Sequence, residues 1–263
     1  MILDSFKVTD KVAIVTGAGR GIGRGIALAL AEAGADVVAA ARSADQIAET
    51  VTEVEARGRR AIAVPTDVTE REQLEALVAA AVESFGRIDI LVNNAGGWPP
   101  QPLLRTSERA FEQAFRFNVT SAFLMTRFVV PHMVETAGGG AIVNISSRAG
   151  SMVQAGFTSY GTAKAALSFM TKMMAPELAP KVRVNAIEVG GVETDALATV
   201  LTDDSIRREL ESNTPMGRVG RVEDIAAAAL YLVSPASSWV TGKLFEIDGG
   251  IESPAFTMPI DPL

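Results

Sequence analysis

The chain has 263 residues, 48% of them hydrophobic, and a formal net charge of −7. That length allows one large domain with a real core and is short for two; the composition excludes a disordered chain, and the acidic balance disfavours nucleic acid and anionic lipid as partners. With no cysteine and one histidine, His132 directly after Pro131, disulfides, thiolate chemistry and multi-His metal sites are excluded, and no metal is expected.

The N-terminal Met1-Ile2-Leu3-Asp4-Ser5 lacks a basic region followed by an apolar run, so no signal peptide is expected. No run of about 18 apolar residues suggests a membrane span. A soluble cytoplasmic protein is the expectation. Lys11 to Val15 is a short apolar run stopped by Thr16-Gly17 and predicts a buried strand. Beyond the glycines, Ile22, Ile26, Leu30 and Ala33 recur at helical spacing, and Gly34 is placed to end the helix. Asp36 to Ala41 predicts a second strand. Ser43 is placed to cap a helix with the buried stripe Ile47, Val51 and Val54, which ends at Gly58 beside the short cluster Arg57, Arg59 and Arg60. Ala61 to Val64 is a third strand.

Thr69 and Glu72 predict a capping box for a helix carrying Leu74, Leu77, Val78, Ala81 and Phe85 on one face, closed by Gly86. Ile88 to Val92 is a fourth strand, Ser107 to Met133 a long helical region, and Ala141 to Ile145 a fifth strand. A helix holding Tyr160 runs to about Leu178. Val182 to Ile187 predicts a sixth strand, Val222 to Val233 a helix and Leu244 to Ile247 a seventh strand. Short, wholly apolar strands alternating with amphipathic helices imply a parallel sheet covered on both faces. The tail from Ile251, with Pro254, Pro259 and Pro262, reads as irregular.

Three features carry chemistry. Gly17, Gly21 and Gly23 do not fit G-x-G-x-x-G, because position 22 is Ile; they fit G-x-x-x-G-x-G between a strand and a helix. Missing side chains there let a pyrophosphate approach the backbone, and the helix N-terminus favours its charge. Tyr160 and Lys164, four apart on a helix, share a face. A phenol with a pKa near ~10 is a poor base, and a nearby ammonium favours the phenolate, so the pair suits proton exchange at an alcohol or carbonyl oxygen. Ser147 stands thirteen residues upstream of Tyr160; by itself it is equally a cap or a turn residue.

With Asp67 after the third strand, Asn93-Asn94-Ala95-Gly96 after the fourth, Asn118, and Gly249-Gly250 after the last, these features resemble the short-chain dehydrogenase/reductase family over nearly the whole chain. Bacterial hydroxysteroid dehydrogenases of that family look most similar, through the Asn-Ala-Gly-Gly run and Thr194-Asp195-Ala196-Leu197. The resemblance implies a single Rossmann-type doubly wound domain over 1–263. Its cofactor half is about 1–150, its catalytic and substrate half about 151–250, and its tail 251–263. It further implies Tyr160 as general acid/base and Ser147 as the group holding the substrate oxygen. Lys164 would bind the nicotinamide ribose and lower the Tyr160 pKa, while Asn118 would support a water-linked proton relay.

The implied cofactor-binding set is Gly17, Arg20, Gly21, Ile22, Gly23, Arg42, Ser43, Asp67, Val68, Asn94, Ala95, Gly96, Tyr160, Lys164, Gly190, Val192 and Thr194. Asp67 would face the adenine amine, the Asn94 turn would pack beside the adenosine, and Thr194 would bond the nicotinamide end. The second strand ends Ala39-Ala40-Ala41-Arg42-Ser43 with no carboxylate to repel a 2′-phosphate, and Arg42, helped by Arg20, is suited to grip one. NADP(H) is therefore expected, with NAD(H) as the alternative.

The chain departs from the family after the sixth strand. Val189 stands where a proline is expected, and Glu188 adds a carboxylate expected near the nicotinamide pocket. Gly97-Trp98-Pro99-Pro100, Met152-Val153 and the segment from Ala196 to Leu201 are expected at the mouth of the cleft, suiting an apolar secondary alcohol or ketone such as a hydroxysteroid. A 3-oxoacyl-carrier-protein reductase and a non-catalytic dinucleotide sensor or scaffold are the alternatives. A homotetramer is implied, paired through the helix from about Thr158 to Leu178, with Ala165, Ala166, Phe169, Met170, Met173 and Met174, and through Lys243 to Ile251.

Overall fold

A computed structural model describes residues 1–194, 197 and 204–254 of the chain. Seven strands form one wholly parallel sheet in the order β3-β2-β1-β4-β5-β6-β7. They are β1 (Val12–Thr16), β2 (Asp36–Ala41), β3 (Ala61–Pro65), β4 (Ile90–Asn93), β5 (Gly140–Ser147), β6 (Val182–Val189) and β7 (Leu244–Ile247). The helices are α1 (Gly21–Glu32), α2 (Ala44–Glu55), α3 (Arg71–Phe85), α4 (Glu108–Phe115), α5 (Ser121–Ala137), α6 (Thr158–Leu178), α7 (Asp204–Ser212) and α8 (Val222–Val233). None of them is long and apolar enough to cross a membrane.

Alternate strand residues feed two cores. Ala13, Val15, Val37, Ala39, Val143 and Ile187 pack with α1, α2 and α8; Val12, Ile14, Val38, Leu91, Ile142 and Val184 pack with α3 and α5. Burial on both faces is why the strands carry apolar runs instead of an alternating pattern. The strand order reverses between β1 and β4, and a crevice opens there beyond the strands' C-terminal ends.

Local expectations fail in three places. The helical region from Ser107 is interrupted by a π-helical turn, Arg116–Thr120, between α4 and α5. Thr69 and Glu72 form no capping box: the Thr69 amide and hydroxyl both donate to Asp67 Oδ1, at 2.9 and 2.8 Å, and α3 begins after Glu70 without a side-chain cap. The Asp67 carboxylate two residues back takes the Thr69 amide that Glu72 would have accepted in a capping box. Ser43 stands at the N-cap of α2, yet its side chain makes no capping hydrogen bond.

Candidate active site

The glycine turn is held by its neighbours across the switch point. Asn94 Nδ2 donates to the Thr16 and Gly17 carbonyls at 2.9 and 3.2 Å, while Thr16 Oγ1 accepts from the Asn94 and Ala95 amides at 3.0 and 3.1 Å. Gly17 adopts φ 66°, and a Cβ there would lie 2.7 Å from Asn94 Nδ2. A Cβ on Gly23 would collide with the Gly17 carbonyl. Glycine is thus required by close backbone packing as well as by φ. The Asn94 amide, expected to pack beside an adenosine, is spent on shaping this turn.

A cleft of about 950 Å³ runs from Arg42, Ser43, Asp67 and Val68 past the glycine turn and Ala95-Gly96 to Ser147, Tyr160 and Lys164. Gly190, Val192 and Thr194 close its other wall. Apart from Asn118, every residue expected to act in catalysis or to bind the cofactor lines this one cleft. At the far end, burial would raise the Asp67 pKa, but hydrogen bonds from Thr69 and the guanidiniums of Arg42 and Arg116 outweigh it and hold the carboxyl below the ordinary range. Arg116 was not foreseen from sequence, since the π turn after α4 brings its charge near Asp67 through the fold alone; its Nε donates to the Thr69 carbonyl at 2.8 Å.

At the near end, β5 delivers Ser147, whose Oγ accepts from the Ala149 amide at 3.1 Å and hydrogen-bonds the Tyr160 phenol. Ser147 thus forms the turn that was one of its two expected roles. Lys164 is 3% exposed; its Nζ donates to the Ile145 carbonyl at 2.7 Å and lies 5.7 Å from the Tyr160 ring centre. The expected lowering of the Tyr160 pKa by Lys164 is not found. Burial pushes the phenol up, against the opposing Ser147 hydrogen bond, and burial lowers Lys164 to about 7. Taking each charged form out of water dominates at both groups, and the ammonium is turned to the Ile145 carbonyl.

Lys164 also makes stability depend on pH. Its folded pKa of about 7 lies below the ordinary lysine value of 10.5, so between these values the unfolded chain binds a proton that the folded chain does not. Stability then rises with pH across that window. Compared with Lys164→Met, the wild type should gain melting temperature from pH 7 to pH 10; a constant difference in calorimetry would contradict the assignment.

Asn118 sits behind the cleft in the π turn. Its Oδ1 accepts from the Gly97 amide at 2.8 Å, and its Nδ2 donates to the Gly97 and Ala114 carbonyls at 3.0 and 2.9 Å. The side chain thus fastens the Gly96-Gly97 loop. A Cβ on Gly96 would lie 2.7 Å from Asn118 Oδ1 and 3.0 Å from Lys164 Nζ, so the loop passes directly over both.

The mouth is apolar: Trp98, Pro99, Pro100, Met152, Phe157, Leu197, Leu210, Ile251 and Pro254 line it. Val153, expected there, is 96% exposed and does not line the cleft. Of the expected segment from Ala196 to Leu201, only Leu197 is among the described residues; Asp195 and the tail beyond Pro254 also lie outside them. Phe157, 6.3 Å from the Tyr160 ring, was missed, although an aromatic three residues before Tyr160 was a usable signal. Glu188 corrects a further expectation. It does not line the cleft but is buried beneath it, and only Val189, continuing β6 into pairing with Ser147 and Ile247, reaches the pocket.

A profile of the family described as Enoyl-(Acyl carrier protein) reductase matches residues 17–252. An uncharacterised oxidoreductase of Mycobacterium tuberculosis is 48% identical over 263 residues, spanning 100% of both chains. The 7alpha-hydroxysteroid dehydrogenase of Escherichia coli K12 is 42% identical over 248 residues, 94% of this chain and 96% of that one. A 7alpha-hydroxysteroid dehydrogenase solved with NADH and 7-oxo glycochenodeoxycholic acid matches with a TM-score of 0.92 at 40% identity, covering 96% of this chain and 98% of the other. The chain belongs to the short-chain dehydrogenase/reductase family and is an oxidoreductase of that type. The family implies a nicotinamide dinucleotide, and the residues fit one: a close-packed glycine turn opening a helix N-terminus onto the cleft, with cationic groups at one end and the Tyr160 phenol at the other.

Proposed function

We propose that the protein transfers a hydride between NADP(H) and an apolar secondary alcohol or ketone of about steroid size. The observation that carries this is the single cleft joining Arg42 to the Ser147–Tyr160–Lys164 cluster under an apolar mouth. The cofactor, when bound, supplies or accepts the hydride. Ser147 donates to the substrate oxygen and fixes the carbon beside it. Tyr160, a phenol protonated at neutral pH by its ordinary pKa near ~10 and more firmly so by burial, gives its proton to that oxygen in reduction and takes it back in oxidation. Lys164 holds the ribose side, and Asn118 keeps Gly96-Gly97 in place above it. The apolar mouth excludes water from the reacting atoms.

Oxidation of NADPH and of NADH, followed with a panel of steroid, alicyclic and short-chain ketones and a 3-oxoacyl thioester, tests this reading. Turnover of a large apolar ketone supports it. Preference for the thioester would move the protein to the acyl-carrier reductases, and cofactor binding without any turnover would make it a sensor.

We further propose a homotetramer. Phe169 and Met173 are exposed four residues apart on α6, with Phe123 exposed on α5, whereas Met174 packs into the core. Side chains of that size in water favour a partner surface. Light scattering should give about four times the 27.6 kDa chain mass across micromolar concentrations, and a monomer peak would refute it.

A further inference from the structure

Glu188 is 3% exposed on β6, with strands on both sides. Register places Ser146, Glu188 and Glu246 side by side on one face of the sheet, the face against which Ser146 meets Ser168 of α6. The carboxylate accepts from Ser168 Oγ at 2.7 Å and from Ser151 Oγ at 3.0 Å, and Arg148 Nη1 lies 3.6 Å away. Arg148 is itself buried. It donates to Ser151 Oγ at 3.0 Å and to the Ile251 carbonyl at 3.3 Å, pairs with Glu246, and brings Nε within 2.8 Å of Asp248 Oδ2, outside hydrogen-bonding geometry.

Proton counting gives this network a direction. Each serine hydroxyl has one hydrogen. The Ser168 hydrogen goes to Glu188, so Ser146 is the donor across its 2.9 Å contact with Ser168, or else gives its hydrogen to the Lys164 carbonyl at 3.1 Å. The Ser151 hydrogen goes to the charged Glu188 oxygen at 3.0 Å rather than to the Arg148 carbonyl at 3.4 Å, leaving Ser151 Oγ to accept from Arg148. Two oriented chains thus converge on a group that must accept on both oxygens. One arrives from α6, which carries Tyr160 and Lys164; the other arrives from the turn Arg148–Gly150, whose first residue follows Ser147. A buried carboxylate is a costly way to fill space, and an apolar side chain would fill it more cheaply. What it adds is a fixed geometry between the elements it joins.

We propose that Glu188 is a positioning residue, holding the turn after β5 against α6 so that the Ser147 and Tyr160 hydroxyls stay in register. The proposal rests on the catalytic roles assigned above to Ser147 and Tyr160, and its test separates the two. Glu188→Gln keeps the shape but offers one acceptor and one donor, which reverses one of the chains. The protein has two tyrosines, Tyr160 and Tyr231, so tyrosine labelled with ¹³C at the ζ carbon gives two resonances, assigned with Tyr231→Phe. At fixed neutral pH and without substrate, Ser147→Ala should move the Tyr160 resonance, and Glu188→Gln should move it in the same direction. With the best ketone, Glu188→Gln should lower kcat about 10- to 100-fold, the scale of a small misplacement of reacting groups, while KM and NADPH affinity by fluorescence stay within about twofold. If Glu188→Gln does not fold, Ser168→Ala and Ser151→Ala each remove one chain and should show the same pair of signatures. A Tyr160 resonance that these variants leave in place, or kcat unchanged in all of them, overturns the proposal. If the wild type reduces no ketone, the functional reading fails, and the resonance alone still decides whether Glu188 sets the Ser147–Tyr160 contact.

Discussion

Replacing Tyr160 with phenylalanine is expected to lower turnover by about 100-fold or more, the range of general acid–base catalysis, while leaving the fold and NADPH binding nearly intact. The ring keeps its place in the cleft wall beside Phe157, and only the hydroxyl that meets Ser147 is removed. Ser147 keeps its bond from the Ala149 amide, so the turn it forms survives. The loss should therefore fall on kcat, with NADPH fluorescence titration giving an affinity close to wild type. Turnover near wild type on the best ketone would remove Tyr160 from the reaction.

The second large effect is on cofactor choice. Ala41 ends β2 opposite Pro65 of β3, and Ala41, Arg42 and Ser43 together line the far end of the cleft. The end of β2 carries no carboxylate to accept ribose hydroxyls, and the Arg42 charge is close enough to help depress the Asp67 pKa. A charge-assisted hydrogen bond is worth roughly 1.5–3 kcal/mol, about 10- to 150-fold in affinity. NADPH should be preferred over NADH, less so at high salt, and Ala41→Asp with Arg42→Val should reverse the preference. Equal or better kcat/KM with NADH in the unmodified protein would show that Arg42 does not grip a phosphate.

Much of this architecture is legible without coordinates because its signals are local. The β1–glycine turn–α1 unit announces itself by an apolar run, glycines and a helical stripe within some twenty residues, and the helix from Val222 to Val233 and the strand from Leu244 to Ile247 fall where their patterns place them. The spacing of Tyr160 and Lys164 fixes a shared helix face before any partner is known. The cation at the end of β2 is likewise visible, since strand ends in a parallel sheet are where ligands are met.

Tertiary structure decided what those side chains do. Lys164 reads as an ordinary ammonium until burial beside Ile145 brings its pKa to about 7. Asn118 reads as a poor helix former, and only the π turn and the approach of Gly97 show where its amide is spent. Glu188 reads as a carboxylate added to the nicotinamide pocket, yet sheet register turns it to the other face, toward Ser168, Ser151 and Arg148. In each case the deciding partner lies about twenty to forty residues away in the chain. Periodicity and capping are set by neighbours within a turn or two, and so the chain itself determines the elements and the family; burial and hydrogen-bond direction depend on which elements the sheet brings together, and only the folded protein determines those.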